Sequence, residues 1–251
     1  MWTFEEDRTR CVLTAREHIA SEHRGEGGQA LPGTAVLFFM RRALDYVCKT
    51  RGARLLMRKL PRFLNSGDCP VYALGAEVCC LDGGRGAPQA ADTLETLAAM
   101  GVKRVISVGL CGAFSDKVAV GDLIVPDRAL VEEGTSLHYY GQIEYAEPDR
   151  TLFERLRAMR GAKVYPVVST DGLYRQTFFK EARWREGGAV GVDMETSALF
   201  SVGRALGIPV ASVLMASDLH PQREEEPRWA WKLTEEMRRE LCEQVMGVLG
   251  Q

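Results

Sequence analysis

No apolar run in the 251-residue chain approaches the roughly 20 residues needed to span a bilayer, so a membrane-spanning helix is not expected. An excess of one charge is lacking too: 32 Lys and Arg stand against 34 Asp and Glu. That balance leaves no basic footprint for a phosphate backbone and sets nucleic acid aside as a partner. The start, Met1-Trp2-Thr3-Phe4-Glu5-Glu6-Asp7, is acidic and has no signal-peptide core, which reads as cytoplasmic. The seven cysteines fit no zinc spacing. Adjacent Cys79 and Cys80 would point to opposite faces of a strand, and the thiols read as reduced, structural side chains. No His/Cys/Asp cluster has ligand spacing, so no metal is expected. Repeats, low-complexity tracts and interdomain linkers are missing, and the length suits one large core.

What is there is an alternation of apolar strands and amphipathic helices. Residues 1–33 are polar and helix-prone, with breaks at Gly25, Gly27, Gly28, Pro32 and Gly33. They read as an N-terminal extension that docks on the body or on a neighbouring subunit, and residues 34–251 as the domain itself. Residues 35–39 form a short, wholly apolar strand, and 71–81 another, bent at Gly75. Ala91, Leu94, Leu97 and Ala98 predict a helix over 88–100, stopped by Gly101 and followed by a strand at 104–108. Strand, helix and strand in that order imply a right-handed crossover and a parallel pair. Further strands are expected at 122–126, 164–169 and 210–216. A helix is expected at 193–206, ended by Gly207, and a terminal amphipathic helix over 227–249. One α/β domain with a mixed sheet accounts for this pattern.

Two carboxylates stand out. Glu195 lies near the start of the 193–206 helix, and Asp218 comes straight after an apolar strand. Strand ends and helix starts are where α/β folds build their sites. Val192-Asp193-Met194-Glu195 followed by Ser217-Asp218 resembles the signature of the nucleoside phosphorylase family, which comprises the purine and uridine phosphorylases and related nucleosidases. Other stretches resemble family segments in the same order. Residues 84–91 are similar to its glycine-rich turn into a helix, and 108–113 to its strand-end phosphate loop. Residues 133–140 are similar to a loop near the active site, and 169–174 to the segment lining the base pocket. The resemblance covers roughly residues 35–250. It implies a single-domain, three-layer α/β/α fold with a mixed, mainly parallel central sheet. It also implies a nucleoside as ligand, inorganic phosphate as co-substrate, no cofactor, and a homo-oligomer of two, three or six chains.

The family cleaves a nucleoside's N-glycosidic bond. As the base leaves with the bonding electrons, the ribose carbon gains oxocarbenium character. The site must stabilise that charge, protonate the base and present an acceptor. The resemblance gives Glu195 the first task, through hydrogen bonds from ribose hydroxyls, with Met194 beneath the sugar. Asp218 takes the second, as a proton donor whose pKa needs raising by burial or a neighbouring charge, oriented by Ser217. The Ser-Asp pair tilts the reading toward purine-type bases. Val192 and Leu173 are expected as walls of the base pocket and Tyr174 as support. His138 reads as a contact to sugar or base, or equally as a structural histidine.

The third task is where the chain departs from the family. The family's strand-end arginine and loop hydroxyl correspond here to Ser107 and Leu110, and its Gly-Asp-Pro turn to Phe39-Met40-Arg41-Arg42. Arg41, Arg42 and Arg85 are the candidate substitutes, with Gly109 and Gly112 allowing close backbone approach to an anion. Three readings stay open. One is a phosphorylase with an altered phosphate site, releasing base and sugar 1-phosphate. The second is a nucleosidase using water, although the family's water-polarising glutamate after the first strand has no counterpart. The third is a nucleoside-binding relative without turnover.

Overall fold

A computed structural model describes residues 9–22, 30–64, 67–227, 229 and 231–249. Helix α1 (Ala15–Glu22) precedes strand β1 (Thr34–Phe38) and helix α2 (Arg41–Thr50). Then β2 (Arg54–Met57), β3 (Val71–Leu74) and β4 (Val78–Asp82) lead into α3 (Gly86–Ala99) and the long β5 (Arg104–Ala113). Next come β6 (Leu123–Val125), β7 (Ala129–Glu132), α4 (Thr135–Tyr139), β8 (Tyr145–Ala146), α5 (Arg150–Arg157), β9 (Ala162–Val164) and β10 (Val167–Thr170). The chain closes with α6 (Phe178–Glu186), β11 (Gly191–Asp193), α7 (Thr196–Leu206), β12 (Val210–Leu219) and α8 (Glu235–Leu249).

The centre of the sheet is β4, β1, β5 and β12, side by side and parallel. These strands are apolar on both faces because both are covered, as a parallel sheet requires. Ala35, Leu37 and Val105 pack under α1, α3 and α7, and Val36, Phe38 and Ile106 under α2, α5 and α8. The three expected layers are therefore present. Among the described residues six strand pairings are parallel and five antiparallel. The four central strands are parallel, while β5 pairs antiparallel with β11 on its far end and both kinds of pairing occur toward the edges. Cys79 and Cys80 face opposite layers, as alternation along a strand demands.

Several expected boundaries move. The single strand over 71–81 is a hairpin, β3 against β4, turning at Gly75. Strands β4 and β5, joined by α3, are parallel but not adjacent, since β1 lies between them. The strand at 164–169 is two strands, β9 and β10, on different neighbours. They part at Tyr165-Pro166, where proline has no N–H to give a ladder. The last helix begins at Glu235 rather than 227, because Trp231 and Lys232 bond back to the end of β12. Helix α1 packs on α3 with Ile19 buried, so that part of the extension docks on its own body. The acidic start and the glycine break at Gly25, Gly27 and Gly28 lie outside the described residues. Among the described residues no helix is long and apolar enough to cross a membrane.

The length of β5 sets where a ligand can enter the sheet. Strand β5 outruns β1, which pairs it only from Arg104 to Val108. Its last two residues, Gly112 and Ala113, pair antiparallel with Val192 and Gly191 of β11 instead. Strand β12 accompanies it throughout. The neighbours of β5 therefore separate around Gly109–Cys111, the kind of switch point beside which open α/β sheets hold ligands.

Candidate active site

A cavity of about 630 Å³ opens at this fork. Leu110 and Gly112 of β5 line it, together with Val192, Met194 and Glu195 around the end of β11, Ser217 and Asp218 of β12 with His220 just after it, and Glu181 of α6. Leu173, Tyr174, Phe178, Trp229 and Trp231 form an aromatic and apolar rim.

Glu195 owes its place to Asp193. The Asp193 carboxylate accepts bonds from Ser169 Oγ (2.5 Å), from the Thr196 amide (3.1 Å) and from the Thr196 hydroxyl. These bonds tie the first residue of α7 to the end of β11 and satisfy the Thr196 amide, while Glu195, at the N-cap position, makes no side-chain cap bond. The helix therefore begins at Thr196, three residues later than expected, and Glu195 stands in the turn before it. From there its carboxylate reaches the glycine-rich turn, where the Gly86 amide donates to Oε1 at 2.6 Å and the Met194 amide to Oε2 at 3.3 Å. Gly86 has φ +74, a conformation open to glycine at little cost, and this aims its N–H at Glu195. Burial, and next the Asp193 carboxylate, push Glu195 up to about 7, against the pull of the two amides and Arg85.

Asp218 follows an irregularity in β12. The register with β5 slips between Ala216 and Asp218, so Ser217 is an extra residue, a bulge of the kind that re-aims side chains. Ser217 and Asp218, neighbours in sequence, consequently meet: the Ser217 hydroxyl donates to Asp218 Oδ1 and to the Cys111 carbonyl (3.2 Å). The Trp229 indole N–H donates to Asp218 Oδ2. His220 Nε2 lies 3.2 Å from that same Oδ2, and His220 Nδ1 lies 2.6 Å from Glu181 Oε1.

The electrostatics differ from the expected raised acid at Asp218. Burial pushes its carboxyl up, but the bonds from His220, Ser217 and Trp229 outweigh burial and hold it below its ordinary value. His220 moves the other way. Burial alone would lower its imidazole, yet Asp218 and Glu181 raise it to about 9. At neutral pH the proton of the pair resides on the histidine.

Nine of the candidate site residues singled out from the sequence meet in this cavity: Glu195, Asp218, Met194, Val192, Ser217, Leu173, Tyr174, Leu110 and Gly112. The others do not line it. His138 is exposed on a second groove with α1 and α3, and residues 135–139 form α4 rather than an active-site loop. Glu133 accepts the Ser197 hydroxyl at 2.9 Å and so supports α7. Ser107 is buried mid-strand between Leu37 and Ser212. Arg41 and Arg42 are exposed at the start of α2, Arg42 bound to Glu235 at 2.9 Å. Arg85 turns back to the Gly84 carbonyl at 2.6 Å and contributes only its field to Glu195. Phe39, not an arginine, fills the end of β1. A Cβ on Gly83 would fall 2.4 Å from the Phe39 ring, and one on Gly109 would meet Phe39 at 3.8 Å.

Glu181, His220 and Trp229 were not anticipated. For His220 a signal existed: Asp218-Leu219-His220 at a strand end puts the first and third side chains on one side. Nothing local points to Glu181, which is brought in by α6 from 39 positions away.

The family model described as the phosphorylase superfamily matches residues 64–247. Over 148 residues the chain is 30% identical to a guanosine phosphorylase of Halorubrum lacusprofundi, covering 55% of this chain and 60% of that one. The chain thus spans little more than half the length of the first curated relatives it matches. Among solved structures it is similar to a purine nucleoside phosphorylase of Toxoplasma gondii in complex with immucillin-H. There the TM-score is 0.73, at 17% identity, over 87% of this chain and 89% of that one. It is similar also to an AMP nucleosidase of Bacteroides thetaiotaomicron, with a TM-score of 0.64 at 22% identity, over 88% and 91%. At these identities the structures speak for the fold.

Proposed function

The chain belongs to the phosphorylase superfamily, and from that premise we propose that it cleaves the N-glycosidic bond of a purine-type nucleoside with water as acceptor. One observation carries the choice of acceptor: among the described residues lining the cavity there is no arginine and no lysine. A phosphate dianion needs such partners, and the guanidinium fork is the usual one. Phe39 also occupies the end of β1, against Gly83, where the resemblance would have an anion.

In this reading Glu195 accepts bonds from the ribose hydroxyls and places negative charge beside the developing cation. The C1′–N bond breaks with its electron pair going to the base, whose ring nitrogen takes a proton at Asp218. The water oxygen bonds to C1′, and its proton goes to Glu195, whose pKa of about 7 suits a base at neutral pH. Val192, Met194 and Leu173 offer apolar walls to sugar and base, and no cofactor enters.

Phosphorolysis, with inorganic phosphate as co-substrate and sugar 1-phosphate as product, is the second reading. It is favoured by the 30% identity to a guanosine phosphorylase. The two readings separate on a panel of inosine, adenosine, methylthioadenosine and uridine, assayed for released base with and without phosphate. Release indifferent to phosphate is expected. Strict phosphate dependence would overturn the water reading. No release, from a protein that nucleosides still stabilise thermally, would make the chain a binding protein. The homo-oligomer belongs to the same proposal: Tyr174 and Phe179, 94% and 76% exposed, are side chains for a second copy to cover, which sedimentation would read.

A further inference from the structure

Glu181 is a buried carboxylate on a helix whose other ionisable groups are mostly solvated. On α6, Lys180 pairs with Glu132 and Arg183 with Glu186 at partly exposed sites, whereas Glu181 is 5% exposed and bonded to His220 Nδ1. Desolvating a carboxylate is costly unless it is paired. The His220 ring is held from every side. Its amide donates to the Ala113 carbonyl at 2.7 Å, and its Nε2 sits over Gly112, where a Cβ would fall 2.3 Å away. Any side chain at position 112 would displace the ring. The far side of Asp218 Oδ2 meets the Trp229 indole N–H, so this oxygen already accepts a ring N–H at the cavity as well as one from His220.

We propose that Glu181 is a positioning residue for the reaction at this site: with Asp218 it clamps His220, so that the proton reaching the departing base comes from His220 by way of Asp218. The inference rests on the glycosidic reading above. The step balances. The Nε2–H bond of His220 breaks as Asp218 Oδ2 takes the proton, and that proton passes to the base nitrogen holding the electron pair of the broken C1′–N bond. His220 is left neutral and Asp218 ionised. The remaining groups around His220 are engaged elsewhere or distant in character. Arg185 of α6 donates to the Phe114 carbonyl at 2.9 Å, Arg223 pairs with Glu226 at 2.9 Å, and Asp116 and Lys232 line the outer groove. Cys111 of β5 is a buried thiol whose pKa is pushed well above its ordinary value by burial.

Glu181→Gln keeps an acceptor for Nδ1 and removes the charge. In the full-length protein, NMR titration of the His220 ring should move down by a pH unit or more. The rate of base release should fall about threefold or more at pH 8.5, yet less than about twofold at pH 6, where the imidazole is protonated in both proteins. KM should stay within about twofold, and Glu181→Asp should recover part of the alkaline activity. A purely structural role would depress the rate alike at both pH values. An undisplaced His220 titration would refute the clamp whatever the activity. A displaced titration with an unmoved alkaline limb would refute delivery through His220. No base release by the parent protein, with the titration displaced in Glu181→Gln, would refute the glycosidic reading and leave the clamp standing.

Discussion

Glu195→Gln offers a test of the site that needs no substrate. Glu195 is held at about 7 by burial and by Asp193, against an ordinary 4.5 in the unfolded chain. Between those values the folded protein binds a proton that the unfolded chain has released, so stability falls as pH rises through this window. At about 1.4 kcal/mol per pH unit, the full difference is roughly 3 kcal/mol, felt from about pH 7.5 upward. The substituted glutamine cannot ionise, and its amide oxygen can still accept the Gly86 N–H. Urea denaturation of parent and variant from pH 4.5 to 8.5 should therefore show the variant gaining on the parent by about 3 kcal/mol up to pH 7.5, then no further. His220 also titrates: its raised pKa stabilises the fold below about 6.5, and that contribution is lost as pH rises through about 9. It does so in both proteins and drops out of the difference. Parallel stability curves, separated by a constant amount from pH 4.5 to 8.5, would refute the reasoning and with it the carboxylate's strained environment.

Three further outcomes are expected. Asp218→Asn should lower base release about a hundredfold or more, the scale of general acid catalysis; an unchanged rate would remove Asp218 from the chemistry. Trp229→Phe deletes the indole donor to Asp218 and should tighten free-base binding about fivefold in calorimetry, since a net hydrogen bond is worth about 1 kcal/mol. Affinity equal to the parent's would show that the indole does not compete with the base. Ser107→Arg should not create a phosphate site. It places a cation mid-strand between Leu37 and Ser212 and should cost at least about 2 kcal/mol in urea denaturation, whereas a phosphate-dependent thermal gain would contradict that.

Strands with two buried faces and helices with clean stops were legible in the sequence: β1, α3, the starts of β5 and β12 and the end of α7 fall where apolar runs and glycines put them, whereas β5 runs on to Ala113 through the stretch expected as a phosphate loop and β12 to Leu219. The hairpin at 71–82 was not, because its two arms are apolar enough to read as one strand. The start of α7 was missed because Asp193, which looks like a helix residue, ends β11 and accepts the first helical amide from there. Glu195 and Asp218 were legible as a pair, but the ionisation of Asp218 was not. That state depends on His220, Ser217 and Trp229, of which the histidine and the tryptophan were not anticipated. Arg41 and Arg42 lie away from the cavity for a simpler reason: α2 begins immediately after Met40 and carries both onto the surface.

The extra residue at Ser217 has a consequence for anyone who would rebuild this site. On an even strand, Ser217 would face away from Asp218 and His220, since neighbours alternate. Counting parity, rather than side-chain chemistry, decides whether the three share a side. Copying Ser-Asp-Leu-His onto a regular strand of another scaffold would lose the serine to the opposite layer, and deleting one residue from β12 ahead of the slip would invert the acid and the histidine together. The constellation is portable only with its irregular backbone, so the unit to transplant is the paired segment of β5 and β12 that holds the slip.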